Sequence, residues 1–416
     1  MRILTITSNH PPCHSGGYEL RVKDIMDGLF VRGHQVLVLS TRKTKSTILG
    51  SHHSAYQVKR VLHDRNHAKF FPKEVLYDLI DTKVIENTIK EFQPDVIYLG
   101  HTYILSKAIL PYLASLAIPI VYDEGGTGLK GAWTENGRWF RFCDDYQSKW
   151  NALNKLKPWV IKFVLHLGKG RIQAAWRWPE NMRVFFNSQN NLNHSLSFSV
   201  PVQSAKVIHS GIDLEKFEFR HHTQLASPIK IICPGRLDPR KGQLDAIALI
   251  SKLSEIGIKA ELTLVGEVLM PGYLEQIRAE INSRGLQETV KILGMVSQEE
   301  LAKLYQQADI CFFTSHQSAG FSRTPLEAMA CGCVVISYGN EGSDEVIRHE
   351  ENGFIVQDGN IDEVKGIIEH LIGLPQAVSK ISLAARKEIC TNFELSGYIN
   401  SIEKFIIESV STNEAI

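Results

Sequence analysis

At 416 residues the chain is long enough for two ordinary domains, each with its own core. Its 46 Lys and Arg against 45 Asp and Glu leave a formal charge of +1, so no bulk field draws the whole molecule onto nucleic acid or membrane. A hydrophobic share of 44% is that of a soluble globular protein, and no apolar run reaches the roughly 18 residues of a bilayer span. From the N-terminus, Arg2–Thr7 is too short for a signal-peptide core and reads as a first strand, which gives a cytoplasmic expectation. A turn-rich segment containing Gly16 and Gly17 follows. Next comes an amphipathic helix with Val22, Ile25, Met26, Leu29 and Phe30 on one face, stopped by Gly33. Val36–Leu39 is a second strand. Strand, Gly-Gly loop, helix, strand opens a doubly wound sheet, while the absence of G-x-G-x-x-G counts against a dehydrogenase. Gly16 and Gly17 either make a simple turn or let a ligand approach the bare backbone, and both readings stand.

The segment His52–His67 is polar and shows no period that assigns it. Val84–Phe92 reads as a helix. The strands after it, Val96–Leu99, Ile118–Tyr122, Val184–Phe186 and Val207–Ile208, each stop at polar or glycine residues: Gly100-His101, Asp123-Glu124-Gly125-Gly126, Asn187-Ser188 and His209-Ser210-Gly211. Open parallel sheets hold ligands at that edge, so His101 is a better ligand candidate than a histidine lost in a core. Between Lys130 and Arg183 lie all six tryptophans and eleven Lys or Arg against four Asp or Glu, an excess of seven (11 − 4). This region is either a helical insertion with a solvated basic face, the favoured reading, or a surface for an anionic membrane or a sugar acceptor. Basic-aromatic mixtures also bind single-stranded nucleic acid, but no fold for that purpose is recognisable, so none is expected as a partner.

His221–Pro228 is polar and reads as a linker, after which the strand–helix rhythm restarts. Strands are expected at Ile229–Cys233, Leu262–Val265, Val290–Leu293, Ile310–Phe313, Val334–Ser337 and Phe354–Val356. The loop Pro234–Gly242 opens a helix over Leu244–Leu253 and carries Arg236 and Lys241 between Gly235 and Gly242. Two cations at a strand end suggest a clamp on a diphosphate, Arg as a fork and Lys as a point charge. The stretch Ala319–Gly332 has the grammar of a loop becoming a helix. Gly320 is permissive, Thr324 is the expected N-cap with Glu327 completing a capping box, Pro325 is the expected first helical residue, and Gly332 the left-handed stop. A helix N-terminus after a buried strand is a phosphate site as readily as a capped helix. The seven cysteines, scattered from Cys13 to Cys390, form no disulfide framework. Cys331 and Cys333 lack metal-ligand spacing and read as buried thiols.

The ordered set Gly16-Gly17-x-Glu19, Gly211-Ile212-Asp213, Gly235-Arg236 with Lys241-Gly242, Gly320-Phe321, Thr324–Ala330 with Gly332, and Gly342–Ile347 with Asn352-Gly353 resembles the retaining GT-B glycosyltransferases of family 4. The resemblance covers nearly the full length, with little from residues 44–75 and 130–183. It implies an α/β fold of two doubly wound Rossmann-like domains facing a central cleft. The expected boundaries are 1–220 for an acceptor domain, 221–394 for a nucleotide-sugar domain, and 395–416 for a helix returning to the first. The donor is a nucleotide-diphosphate sugar and the acceptor is unassigned. Arg236 and Lys241 would neutralise the leaving diphosphate, Glu327 would accept from ribose hydroxyls, and Thr324 and its neighbouring amides would meet phosphate oxygens. Gly16 and Gly17 would approach them from the other lobe, with Gly235, Gly320 and Phe321 completing the donor contacts. His101 would touch the transferred sugar, and Glu19 and Asp123 would lie toward the acceptor. No metal and no cofactor is implied, in keeping with the lack of an Asp-x-Asp motif.

One departure concerns Ala319, which stands where the family usually has a Glu that contacts sugar hydroxyls. An unmatched hydroxyl typically costs about 1–3 kcal/mol, so specificity should change before catalysis is lost. The alternatives to transfer are a GT-B epimerase or hydrolase of sugar nucleotides, or a non-catalytic nucleotide-sugar-binding partner subunit.

Overall fold

The computed structural model describes residues 1–12, 16–42, 54–68, 70–126, 128–134, 137–144, 151–202, 204–317 and 320–413. The chain divides into two compact units. The first comprises Met1–Asn187, Asn191–Ile208 and the chain from Ile399 onward; the second comprises Ser188–Asn190 and His209–Tyr398.

The first unit carries a seven-stranded sheet: β1 (Arg2–Ile6), β2 (Gln35–Thr41), β3 (Gln57–Leu62), β4 (Val96–Leu99), β5 (Ile120–Glu124), β6 (Met182–Phe186) and β7 (Lys206–Val207), in the order β3-β2-β1-β4-β5-β6-β7. All pairings are parallel. The inner strands are covered on both faces, which is why they read as continuous apolar runs such as Val96-Ile97-Tyr98-Leu99. The helix Gly17–Val31 packs Val22, Ile25, Met26 and Leu29 inward, as its spacing implied, and the chain turns at Gly33. Two elements differ from the sequence reading. The unassigned 52–67 stretch contains β3, an edge strand whose mostly half-exposed QVKRVL residues carry too weak an alternation to read. The helix expected at 84–92 begins earlier, at Phe71, with Pro72 in its first turn. From Ile399 the last helix (Leu395–Asn413) belongs to this unit, where Glu403 binds Arg32 at 2.6 Å and His34 at 2.8 Å.

The second unit holds β8 (Ile229–Pro234), β9 (Ala260–Val265), β10 (Val290–Gly294), β11 (Ile310–Phe313), β12 (Val334–Ser337) and β13 (Phe354–Ile355), again all parallel, in the order β10-β9-β8-β11-β12-β13. Ile231, Leu262, Leu264, Phe312 and Ile336 meet the helix Gln243–Glu255 through Ile247, Ile250 and Leu253 in one core. The other face of the sheet packs on the helix Arg323–Cys331, whose Leu326, Ala328, Met329 and Ala330 are fully buried.

Tryptophans of the 130–183 region serve two ends. Trp139 is in a small core and donates its Nε1–H to the Gln173 carbonyl at 2.7 Å, and Trp133, Trp176 and Trp178 pack edge-to-face on one another. Trp159, by contrast, is 74% exposed. Trp150 lies outside the described residues.

Candidate functional site

In each sheet the strand order reverses once, between β1 and β4 in the first unit and between β8 and β11 in the second. Loops leaving the carboxyl ends of such strand pairs diverge and open a crevice where α/β proteins bind ligands. The residues singled out in the sequence fall largely on those loops.

In the second unit, β8 runs into Gly235 and Arg236 and then a 3-10 turn, Pro239–Lys241. Asp238 caps that turn, accepting from the Arg240 backbone N–H at 3.0 Å, and binds the Arg240 guanidinium at 2.9 and 2.6 Å. The Arg240 hydrogen bond pulls the Asp238 carboxyl down to about 2. Arg240 is thereby occupied, whereas half-buried Arg236 is in no ion pair among the described residues. The Gln243 side-chain amide donates to the Arg236 carbonyl at 3.0 Å and fixes the backbone there. Gly242 has φ +63, and a Cβ on it would come within 2.3 Å of the Thr314 carbonyl, so only glycine lets the loops after β8 and β11 meet. They are latched by Thr314 Oγ1 donating to the Lys241 carbonyl at 2.6 Å and by the His316 N–H donating to the Arg240 carbonyl at 2.8 Å.

Lys241 Nζ is held by both carboxylate oxygens of Glu341, at 2.5 and 2.6 Å. Glu341 is 6% exposed and sits at φ +50, in the left-handed region that non-glycine residues enter at a cost. Its carbonyl accepts from the Ser322 N–H at 2.9 Å, so one residue ties Lys241 to the start of the next helix. Sequence reasoning passed over Glu341; a charged residue beside Gly339 and Gly342, after the buried strand β12, was the available signal.

The helix expected around Thr324 is present, with one correction. Its N-cap is Ser322, whose hydroxyl accepts from the Thr324 N–H at 3.4 Å, and not Thr324. Ser322 has the extended backbone a cap needs, and Pro325 falls at the third helical position, where its missing N–H is still among the unsatisfied first-turn donors. Thr324 therefore lies in the first turn and forms no capping box with Glu327. Glu327 is 6% exposed, with the Tyr305 hydroxyl at 3.4 Å and Arg323 Nε at 3.5 Å. Gly332 closes the helix at φ +94, as read; a Cβ there would lie 2.1 Å from the Arg220 carbonyl. Upstream of the helix, Gly320 has φ +119 and accepts from Ser188 Oγ at 2.9 Å, and Phe321 lies against His209 and Phe393. Ala319 lies outside the described residues. Cys331 and Cys333 are fully buried, and burial pushes the Cys331 thiol up to about 12, so both are inert.

In the first unit, Gly16 is the extended N-cap of the helix Gly17–Val31 and Glu19 sits in its first turn. Glu19 Oε1 lies 4.0 Å from His101 Nδ1, just past β4, and 3.5 Å from Asn9 Nδ2. The His101 ring is about one-third exposed and lies beside the Tyr18 ring. Burial lowers its pKa below the usual histidine value, against the opposing pull of Glu19. Asp123 is 1% exposed; one oxygen takes Arg21 Nη2 at 2.6 Å and the other the Tyr98 hydroxyl at 2.7 Å. It is a buried strut holding the Glu19 helix to the sheet, and Arg21 and Tyr98, its partners, were not anticipated.

Two sheets of this kind, each with polar loops at its switch point, define a GT-B protein. Chains of that fold match along the whole molecule: HepE of Anabaena, solved with UDP and with UDP-glucose, at TM-score 0.70, 21% identity and coverage of 98% of this chain and 100% of that one. Sucrose-phosphate synthase of Thermosynechococcus elongatus gives TM-score 0.73 at 17% identity, covering 99% of each. Residues 15–216 match the family model Glycosyltransferase Family 4, and residues 215–388 match Glycosyl transferases group 1. The chain is 30% identical over 204 residues to the amylovoran biosynthesis glycosyltransferase AmsK of Erwinia amylovora, about half of each chain. It is 23% identical over 410 residues to a glycogen synthase of Mycobacterium tuberculosis, covering 95% of this chain and 91% of that one. The chain is a GT-B glycosyltransferase of the family 4 type.

Proposed function

We propose that the protein transfers a sugar from a nucleotide-diphosphate donor to an acceptor with retention of anomeric configuration, the second unit holding the donor. The observation that carries this reading is the pair of cations in the loop after β8: Arg236, in no ion pair among the described residues, and Lys241, held by Glu341 beside the N-terminus of the Arg323–Cys331 helix. In this mechanism the bond between the anomeric carbon and the β-phosphate oxygen breaks. Negative charge grows on that oxygen, and the two cations with the first-turn amides around Thr324 stabilise it. The acceptor oxygen attacks from the same face, and its proton passes to the departing diphosphate. Glu327 turns to the ribose hydroxyls, with Gly235, Gly320 and Phe321 shaping the rest of the donor seat. The first unit supplies the sugar and acceptor side through Gly16, Gly17, Glu19 and His101. No metal or cofactor takes part in this reading. The sugar is of hexose type, in line with the UDP-glucose of the HepE complex and the GDP-mannose named for a mycobacterial relative 26% identical over 186 residues. Peripheral work at a membrane surface belongs to the same proposal.

A panel of UDP- and GDP-sugars with and without acceptor glycans tests it. Acceptor-dependent release of the nucleotide is expected. Conversion of the donor without any acceptor points to an epimerase or hydrolase, and binding without turnover to a partner subunit; either contradicts transfer.

A further inference from the structure

We infer that the helix Asn151–Gly168 of the first unit docks on the surface of an anionic lipid bilayer. The inference gives the peripheral address in the proposed function a specific surface, and it depends on no part of the donor chemistry. Ile161, Val164 and Leu165 turn inward to the small core around Trp139 and Phe140. The next sector of the helix is apolar and open: Leu156, Trp159, Val160, Phe163 and Leu167 recur at helical spacing and all are exposed, Trp159 at 74% and Phe163 at 63%. Between that sector and the Leu165 edge of the core, Lys155 and Lys162 lie two turns apart, and Lys169 follows just past the helix end at φ +48; all three are exposed and in no ion pair among the described residues. So large a contiguous apolar stripe is uncommon on a surface facing only water.

An apolar stripe with a tryptophan and a row of lysines on one edge matches the layering of a membrane surface. The stripe enters the acyl boundary, the indole sits at headgroup depth, and the lysine heads reach lipid phosphates. A second copy is a poorer occupant, because a two-fold contact over the stripe would bring two lysine rows to one interface. The protein's near-neutral total charge, +1, makes this local array the feature that would respond to lipid charge.

Co-sedimentation of the full chain with vesicles of phosphatidylcholine alone, and with about a third phosphatidylglycerol, tests the assignment. Binding to the anionic vesicles at low salt is expected, with loss at high salt or without the anionic lipid. The variants Trp159→Glu/Phe163→Glu and Lys155→Glu/Lys162→Glu/Lys169→Glu should each lower the partition coefficient by about tenfold or more. Because these side chains are exposed, thermal midpoint and nucleotide binding should stay at wild-type values, which separates this inference from the donor proposal. Wild type left in the supernatant, or either variant bound as well as wild type, overturns it. So does a dimer that the same variants dissolve with no vesicle binding.

Discussion

At the scale of single residues the proposed donor seat turns on one carboxylate. Glu341 pairs with Lys241 and does so from a strained backbone angle. If Lys241 receives the diphosphate as proposed, that anion competes with the carboxylate, and the ion pair then sets against donor affinity. Glu341→Gln should therefore tighten UDP or GDP by roughly fivefold, the scale of a partly buried pair, in isothermal titration calorimetry. Unchanged or weaker binding would show that Glu341 positions Lys241 instead of opposing the ligand. The place of the 235–242 loop in the fold was legible, because a glycine-bounded segment between an apolar strand and an amphipathic helix marks a strand end. The surroundings of Asp123 were not legible. A carboxylate at a strand end looks available until Arg21 and Tyr98, 102 and 25 residues away in sequence, are seen to occupy it.

At the scale of elements, strands buried on both faces and the helix ended by Gly332 were readable from local pattern, since apolar runs and left-handed stops need no distant partner. The edge strand β3 and the true N-cap were not. The first depends on pairing with β2, and the second on which of two neighbouring hydroxyls has the extended backbone. The helix Phe71–Phe92 illustrates a cost no pattern shows. Asp78 is buried on it, accepting from the Ser106 hydroxyl, and burial raises its carboxyl from 3.8 to about 7. The folded protein then keeps a proton that the unfolded chain releases. Stability declines as pH rises from about 4 to about 7, and the full penalty, a few kcal/mol at most, is present above that. Asp78→Asn keeps an acceptor for Ser106 and removes the charge. Its thermal midpoint should exceed that of wild type at pH 8, with the difference shrinking by pH 5. An equal difference at both values would show that Asp78 is not the titrating group.

At the scale of the whole molecule, two parallel sheets recur in one chain, and each gathers polar loops at its reversal point. That repetition was visible as a rhythm of strands and helices that stops near residue 221 and restarts. The division is not a simple cut, because Ser188–Asn190 cluster with the second unit and the last helix from Ile399 with the first. Such crossings depend on tertiary contacts, of which Glu403 with Arg32 and His34 is one, and leave little trace in local sequence.

The most direct measurement is donor turnover by Arg236→Ala and Lys241→Ala, each checked for an unchanged thermal midpoint. If these cations take up the charge of the departing diphosphate, each variant loses about 10²-fold or more in kcat, the effect of deleting one donor to a transition-state oxyanion. Turnover near wild type in both folded variants would contradict the account.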